Sequence, residues 1–352
     1  LLKAKAFSYE LTDDRIAQRP VHPPEAAKLL VYGRADGSIQ DSTYDQITSF
    51  VRPNDIFVFN NSKVIPARLF GKLQNTNIEI LLLKRIQDGQ WLCLGKPMKK
   101  FIAGAKIDFG AGLSGIIKER TGQKEVLVSF EVDASLSDHN STIDEKIFEI
   151  GNMPIPPYIR GGKSDAQDKL DYQTIFARHD GSIAAPTASL HFSTELKSKM
   201  LNFGATIEEV TLHVGAASFL PLWDEVDETP IERPGIELFK YDSKLLEKLN
   251  DRKRQGYRVI AVGTTVVRAL ESMALFSTQT DSSTLHETDL FITPGFEFKV
   301  CDDLVTNFHQ PKTTHLLLVE AFMGRSALSS IYEHALDSGY RFLSYGDGMI
   351  IK

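Results

Sequence analysis

The feature that most limits what this chain can fold into is a change of periodicity in its middle. From about residue 70 to about residue 150, short strand-like runs follow one another with no strong helix among them. They are Ile78 to Leu83, Trp91 to Leu94, Lys106 to Phe109, Ser114 to Ile117 and Glu125 to Val132. Polar, glycine-bearing turns such as Thr121-Gly122-Gln123 separate them. Several short strands with close turn signals predict a small β-barrel or sandwich.

Outside that block, strands and helices alternate. Ile56 to Phe59 reads as a buried strand after the turn Pro53-Asn54-Asp55. Ser193 is placed to cap a helix running to about Phe203, which Gly204 closes, and a strand through about Val214 follows. Tyr257 to Val262 is a second buried strand, leading through Gly263 into a helix with Val267, Leu270 and Ala274 on one face. Leu304-Val305 marks a further strand, and helices are expected at about Thr314 to Phe322 and Ser329 to Asp337. Near the start, Asp13 to Gln18 predicts a helix, and Pro20, Pro23 and Pro24 an extended piece after it. Such alternation implies an α/β fold with a mostly parallel sheet. The expected organisation is a discontinuous α/β domain of residues 1–69 and 151–352, interrupted by a β-barrel-like domain of residues 70–150.

Composition narrows the class. The 352 residues are 42% hydrophobic and 24% charged, an ordinary globular balance, and the length fits two domains. A net charge of -6 is not the basic footprint of a protein that binds nucleic acid without selectivity, though it leaves room for a local basic groove. Two distant cysteines, Cys93 and Cys301, both in apolar stretches, offer neither a disulfide framework nor a zinc site. No apolar run is long enough to span a bilayer, and the first residues lack the pattern of a signal peptide. A cytoplasmic monomer without membrane attachment is expected.

The polar residues that could carry chemistry gather at predicted strand ends, where open α/β sheets bind ligands. Asn60-Asn61-Ser62-Lys63 follows one strand, His213-Val214-Gly215 another, Gly263-Thr264-Thr265 a third and Thr306-Asn307-Phe308-His309 a fourth. At Gly263 a strand, a glycine and two hydroxyls open a helix, whose unpaired N–H groups suit an anion; an ordinary helix cap reads the same way. His191, His213 and His309 are candidate proton carriers, or satisfied core residues. No two of them share the (i, i+4) spacing of a helical metal site, so no metal is assigned. The dinucleotide, P-loop and nucleophile-elbow motifs are missing. Lys96, Lys99 and Lys100, with Pro97 and Phe101, make a small basic and aromatic cluster that could touch phosphate or simply be solvated.

Taken together these stretches resemble the S-adenosylmethionine:tRNA ribosyltransferase-isomerase family. The resemblance is carried by Tyr9-Glu10-Leu11, Ile16-Ala17-Gln18, Asn60 to Leu69, Tyr172-Gln173-Thr174, Gly181 to Ala188, Leu190-His191-Phe192, Thr211 to Gly215, Val262 to Thr265, Asp289 to Ile292, Thr306 to His309 and Tyr345-Gly346-Asp347, in the family's order. It implies an α/β domain interrupted by a small barrel. It also implies transfer and isomerisation of the ribosyl part of S-adenosylmethionine onto 7-aminomethyl-7-deazaguanine in a tRNA anticodon, giving epoxyqueuosine, adenine and methionine. S-adenosylmethionine is then a substrate, and no cofactor is implied. The expected proton carriers are His191, His213 and His309, with Asp347 as a partner. Ligand binding falls to Asn60, Ser62, Lys63, Arg68, Thr187, Thr264, Thr265, Arg268 and Asn307.

The chain departs from the family pattern at identifiable places. Where the family carries His-x-Met-His-Ser-Glu, this sequence reads Pro230-Ile231-Glu232-Arg233-Pro234-Gly235. Ala217 to Pro221 has Leu220 for a polar side chain, Ser189 stands for a glycine, and Gln310 for a leucine. These changes leave open a relative that uses a different acceptor, or a non-catalytic module that binds ligand or RNA.

Overall fold

The computed structural model describes residues 8–133, 142–215, 235–240, 242–276 and 284–352. Along the chain, β1 (Lys28–Tyr32), β2 (Ile39–Thr43), β3 (Ile56–Asn60) and β4 (Ser62–Val64) come first. Then follow β5 (Arg68–Leu73), β6 (Thr76–Gln87), β7 (Gln90–Lys96), β8 (Lys106–Gly110), β9 (Leu113–Arg120), β10 (Glu125–Val132), α1 (Ile143–Ile150) and α2 (Asp168–Asp171). The remainder holds β11 (His179–Ser182), α3 (Thr194–Phe203), β12 (Thr206–Val210), β13 (Leu212–His213), β14 (Glu237–Lys240), α4 (Ser243–Arg254), β15 (Val259–Val262), α5 (Thr264–Leu275), β16 (Leu285–Thr288), β17 (Asp303–Asn307), α6 (Thr314–Met323), α7 (Arg325–Asp337) and β18 (Gly348–Ile351).

Two compact units result. One takes residues 1–63, 157–161 and 171–352; the other takes 64–156 and 162–170. The sequence pattern set these boundaries at 69/70 and 150/151. The barrel starts earlier because Arg68 already pairs with Leu81 in the β5–β6 ladder.

The α/β unit is built on a seven-stranded sheet, ordered β12-β3-β15-β17-β18-β1-β2. β12, β3, β15 and β17 run parallel, as do β1 and β18. The reversals fall at β17–β18 and β1–β2. Both faces are covered, which is why β3 reads as an unbroken apolar run rather than an alternation. Ile56 and Val58 face a core shared with Leu270 of α5, Leu316 of α6 and Ile331 of α7. Phe57 and Phe59 face the opposite core, with Tyr44, Phe192, Leu196 and Met200. Val210 lies beside Asn60, and Asn307 beside Gly348, so the carboxyl ends of four parallel strands meet the start of β18 at one edge. At the opposite edge Arg258 pairs with both Asp55 and Asp303. Burial raises the Asp303 carboxyl to about 6, against the pull of Arg258.

In the second unit, β10-β7-β6-β5-β8-β9 close into an antiparallel barrel. Ile78, Ile80, Trp91, Cys93, Val126, Val128 and Phe130 are buried, at every second position of their strands. A Cβ on Gly115 would lie 2.9 Å from Val128 and 3.1 Å from Phe109, so the closed wall demands glycine there. The sequence pattern foresaw no helix in this stretch, yet α1 is one. Thr142 and Glu145 form a reciprocal capping box, and Ile147 is buried. The helix expected over Asp13 to Gln18 is instead a single 3₁₀ turn, Asp13–Arg15. Ile16 leaves it in extended conformation to bridge Phe342, and that pairing ends the turn. No helix among the described residues is long and apolar enough to cross a membrane.

Candidate active site

A cleft of about 100 Å³ opens at the strand-end edge of the α/β unit. Its polar lining falls into three groups, joined by Thr187 from a further segment. Tyr158, Tyr172 and Ser344 close one side, with the Tyr158 hydroxyl 2.8 Å from Ser344 Oγ. Burial pushes the Tyr158 phenol up to about 12, so this wall is aromatic and uncharged. Leu343, also in the wall, holds a left-handed backbone with φ 68°, a conformation that costs a side-chain-bearing residue energy and is kept only by its surroundings.

Gly263, Thr264 and Thr265 form the floor where β15 turns into α5. Gly263 has φ 101° and donates its N–H to Val305 over 2.7 Å. No side chain caps the helix, and while the Val266 N–H turns back to the Gly263 carbonyl at 3.1 Å, the Thr264 and Thr265 N–H groups have no acceptor among the described residues. An anion suits that position.

The third group supplies the imidazoles. His309 Nε2 lies 2.9 Å from Thr306 Oγ1, and its ring stacks on that of His315 with centroids 5.3 Å apart. Burial lowers His315 to about 4, with the charge of Arg268 acting in the same direction. Burial, then His315, lowers His309 well below the usual imidazole range. Both are therefore neutral near pH 7.

His191 sits one layer further back. It is buried, stacked at 4.3 Å on Tyr44, and its Nε2 lies 3.3 Å from Asn307 Nδ2. Asn307 Oδ1 in turn accepts the Thr187 hydroxyl at 2.8 Å. Thr187 and Asn307 line the cleft, and His191 orients the amide that joins them. Burial, with a smaller effect from Arg341, lowers His191 to about 3.

Thr187, Thr264, Thr265, Asn307 and His309 are thus brought together on one cleft, with His191 behind them. The other expected site residues are placed differently. Asn60 staples the sheet: its amide exchanges hydrogen bonds with the Leu212 backbone and reaches Thr265 Oγ1 at 3.4 Å. Ser62 Oγ is 2.7 Å from His213 Nδ1, and that pair stands outside the cleft lining, with His213 lowered to about 4 chiefly by burial. Lys63 is half-exposed and pairs with Asp180 at 3.1 Å. Arg268 is tied to the buried Glu237 and to the Leu290 carbonyl and does not line the cleft, though its charge helps lower His315. Arg68 belongs to the barrel unit, where Glu79 and the carbonyls of Ile155 and Gly162 engage it. Asp347 is not on the cleft. Its carboxylate accepts the backbone N–H groups of Lys28 and Arg341, at 2.9 and 2.8 Å.

His315 went unread in the sequence, although a signal was there: Thr313 is an N-cap, which puts His315 in the first turn of α6, six residues after His309. Of the departures from the family pattern, Gln310 lines the cleft, and Ser189 is buried with its hydroxyl unpartnered. Ala217 to Pro221 and Pro230 to Pro234 lie outside the described residues.

This unit, with its strand-end cleft and the separate barrel, defines a doubly wound α/β enzyme carrying an inserted barrel. The chain belongs to the family described as queuosine biosynthesis protein, whose model matches residues 4–351. A protein from Halothermothrix orenii named S-adenosylmethionine:tRNA ribosyltransferase-isomerase is 41% identical, across 99% of this chain and 100% of that one. One of the same name from Thermotoga petrophila is 39% identical over 99% of this chain and 100% of its own length. A crystal structure titled S-adenosylmethionine tRNA ribosyltransferase, from Thermotoga maritima, matches 99% of this chain and 100% of its own at 33% identity, with a TM-score of 0.55.

Proposed function

We propose that this protein transfers and isomerises the ribosyl moiety of S-adenosylmethionine onto 7-aminomethyl-7-deazaguanine in a tRNA anticodon. The products are epoxyqueuosine in the tRNA, adenine and methionine. Full-length identity of about 40% to enzymes of that name supports the reaction. The observation that carries the reading is the convergence, in one cleft, of an uncapped helix start and two neutral histidines.

The chemistry asks for groups of these kinds. A proton must leave the carbon beside the sulfonium, the departing adenine must gain one, and the attacking amine must lose one. His309 and His315 are the bases in this assignment. The N–H groups at the start of α5, with the Thr264 and Thr265 hydroxyls, hold the methionine carboxylate. Thr187 and Asn307 hydrogen-bond the ligand, and Tyr158 and Tyr172 present aromatic surface to the base. His191 positions Asn307 and does not exchange protons with substrate.

The test is adenine release from S-adenosylmethionine in the presence of tRNA carrying the aminomethyl base. The wild type should release adenine only when that tRNA is added. His309→Ala and His315→Ala should each lower kcat by about 10²-fold or more, with the fold intact by circular dichroism. Near-wild-type rates in both would overturn the assignment. Gln310 in the cleft favours one second reading, a different acceptor, which release of adenine without tRNA would support.

A further inference from the structure

The barrel unit is polarised in charge, and the strand register shows how. The end of β7, the start of β8, the end of β9 and the start of β10 share one rim. Lys96 stands opposite Glu79, Lys106 opposite Ile116, and Arg120 opposite Val126, while Gly95 donates its N–H to the Lys124 carbonyl. Lys99 and Lys100 lie on the connection that crosses the same rim. A register shift between Leu127 and Val128 leaves Lys118 as the extra residue of a bulge, turned outward. All seven cations are exposed, and none has an ion-pair partner among the described residues. The acids at this end are Glu119, Glu125 and the exposed Asp108, two residues from Lys106, while Glu79 is already held by Arg68. Ile102, 67% exposed, adds an apolar surface on the same connection.

The opposite rim is neutralised instead. Arg85 pairs with Asp88 and Asp144, and Lys146 with Glu149. A fold that satisfies its basic side chains at one end and leaves seven without a partner at the other keeps a surface for a polyanion. We infer that this basic rim binds the phosphate backbone of the tRNA substrate; this rests on the proposed function. RNA is favoured over an acidic protein because the cations come from three strands and two connections with no shared spacing. That arrangement suits a continuous string of phosphates rather than a discrete motif.

The experiment compares the wild type, Lys99→Glu/Lys100→Glu, Lys118→Glu/Lys124→Glu, and Lys244→Glu, a charge reversal on exposed α4 (Ser243–Arg254) as control. Adenine release and direct tRNA binding are measured from 50 to 200 mM salt. Each rim variant should raise KM for tRNA at least about tenfold with kcat retained, and reduce the slope of log K against log salt by about one for each phosphate no longer neutralised. KM for S-adenosylmethionine should not move, and Lys244→Glu should match the wild type. Unchanged tRNA affinity in both rim variants, with tRNA-dependent release intact, overturns the rim proposal alone; so does equal weakening by Lys244→Glu. No tRNA-dependent release from the wild type overturns the proposed function as well.

Discussion

At the scale of single residues, burial decides what the histidines can do. His191 is held neutral down to about pH 3, whereas an unfolded chain takes up that proton near 6.5. Between those values the unfolded state binds more protons than the folded one, so stability rises with pH through that window. Stability is complete above about pH 6.5 and is progressively lost as pH falls toward 3. His191→Gln removes the titration while keeping a partner for Asn307, so its stability should depend less on pH than the wild type's. Urea midpoints at pH 7.5 and 5 measure this, and equal shifts in both proteins would refute it. The same variant should retain most of its kcat, since His191 acts through Asn307. Asp347 is a second residue whose job is structural. Asp347→Ala leaves two backbone N–H groups without their acceptor and should cost about 3 kcal/mol, with adenine release per folded molecule little changed.

At the scale of elements, the cleft depends on how β15 enters α5. Gly263 has φ 101°, and the nearest atoms to a Cβ there would be Thr265 Oγ1 at 3.5 Å and the Ala188 methyl at 3.6 Å. Space is therefore sufficient, and the backbone conformation alone sets the cost. Gly263→Ala should lose about 1–3 kcal/mol, since φ 101° with ψ 149° lies in a region only glycine adopts freely. It should weaken S-adenosylmethionine binding more than it lowers kcat, because the first turn of α5 would tilt away from the ligand. Calorimetric titration with S-adenosylmethionine checks it, and unaltered affinity would show that this turn does not hold the carboxylate. Sequence periodicity reads such elements well when they alternate cleanly: α3 begins after Ser193 and ends at Gly204 as expected. It fails where the helix signal is short. For α1 the Thr142–Glu145 capping box stood in the sequence, but eight residues gave too little periodicity to outweigh the strands around them. β18 was missed because Gly348 to Ile351 is buried on both faces, and a four-residue apolar run carries no period at all.

At the scale of the whole molecule, the net charge is not spread evenly over the two units. The acid excess of the chain lies outside the barrel unit, whose own charges nearly balance and are sorted to opposite rims. Sorting of that kind is a property of register: residues 96, 106, 118 and 124 come from different strands and connections, and the pairing of the barrel strands puts them on one rim. The sequence by itself determined the fold class, the inserted barrel and the strand ends where polar residues gather, because local periodicity and turn chemistry reach only a few residues and those features are local. It also carried the family resemblance, since the motifs keep their order. Only tertiary structure decided which of those polar residues share a cleft. Asp347 and Arg68 were both expected at the site, yet backbone N–H groups occupy one and a barrel carboxylate pairs with the other. His315 gained its place by stacking on His309. Whether a polar group meets ligand or its own fold depends on which partner the packing brings within about 3 Å, and a linear sequence does not contain that distance.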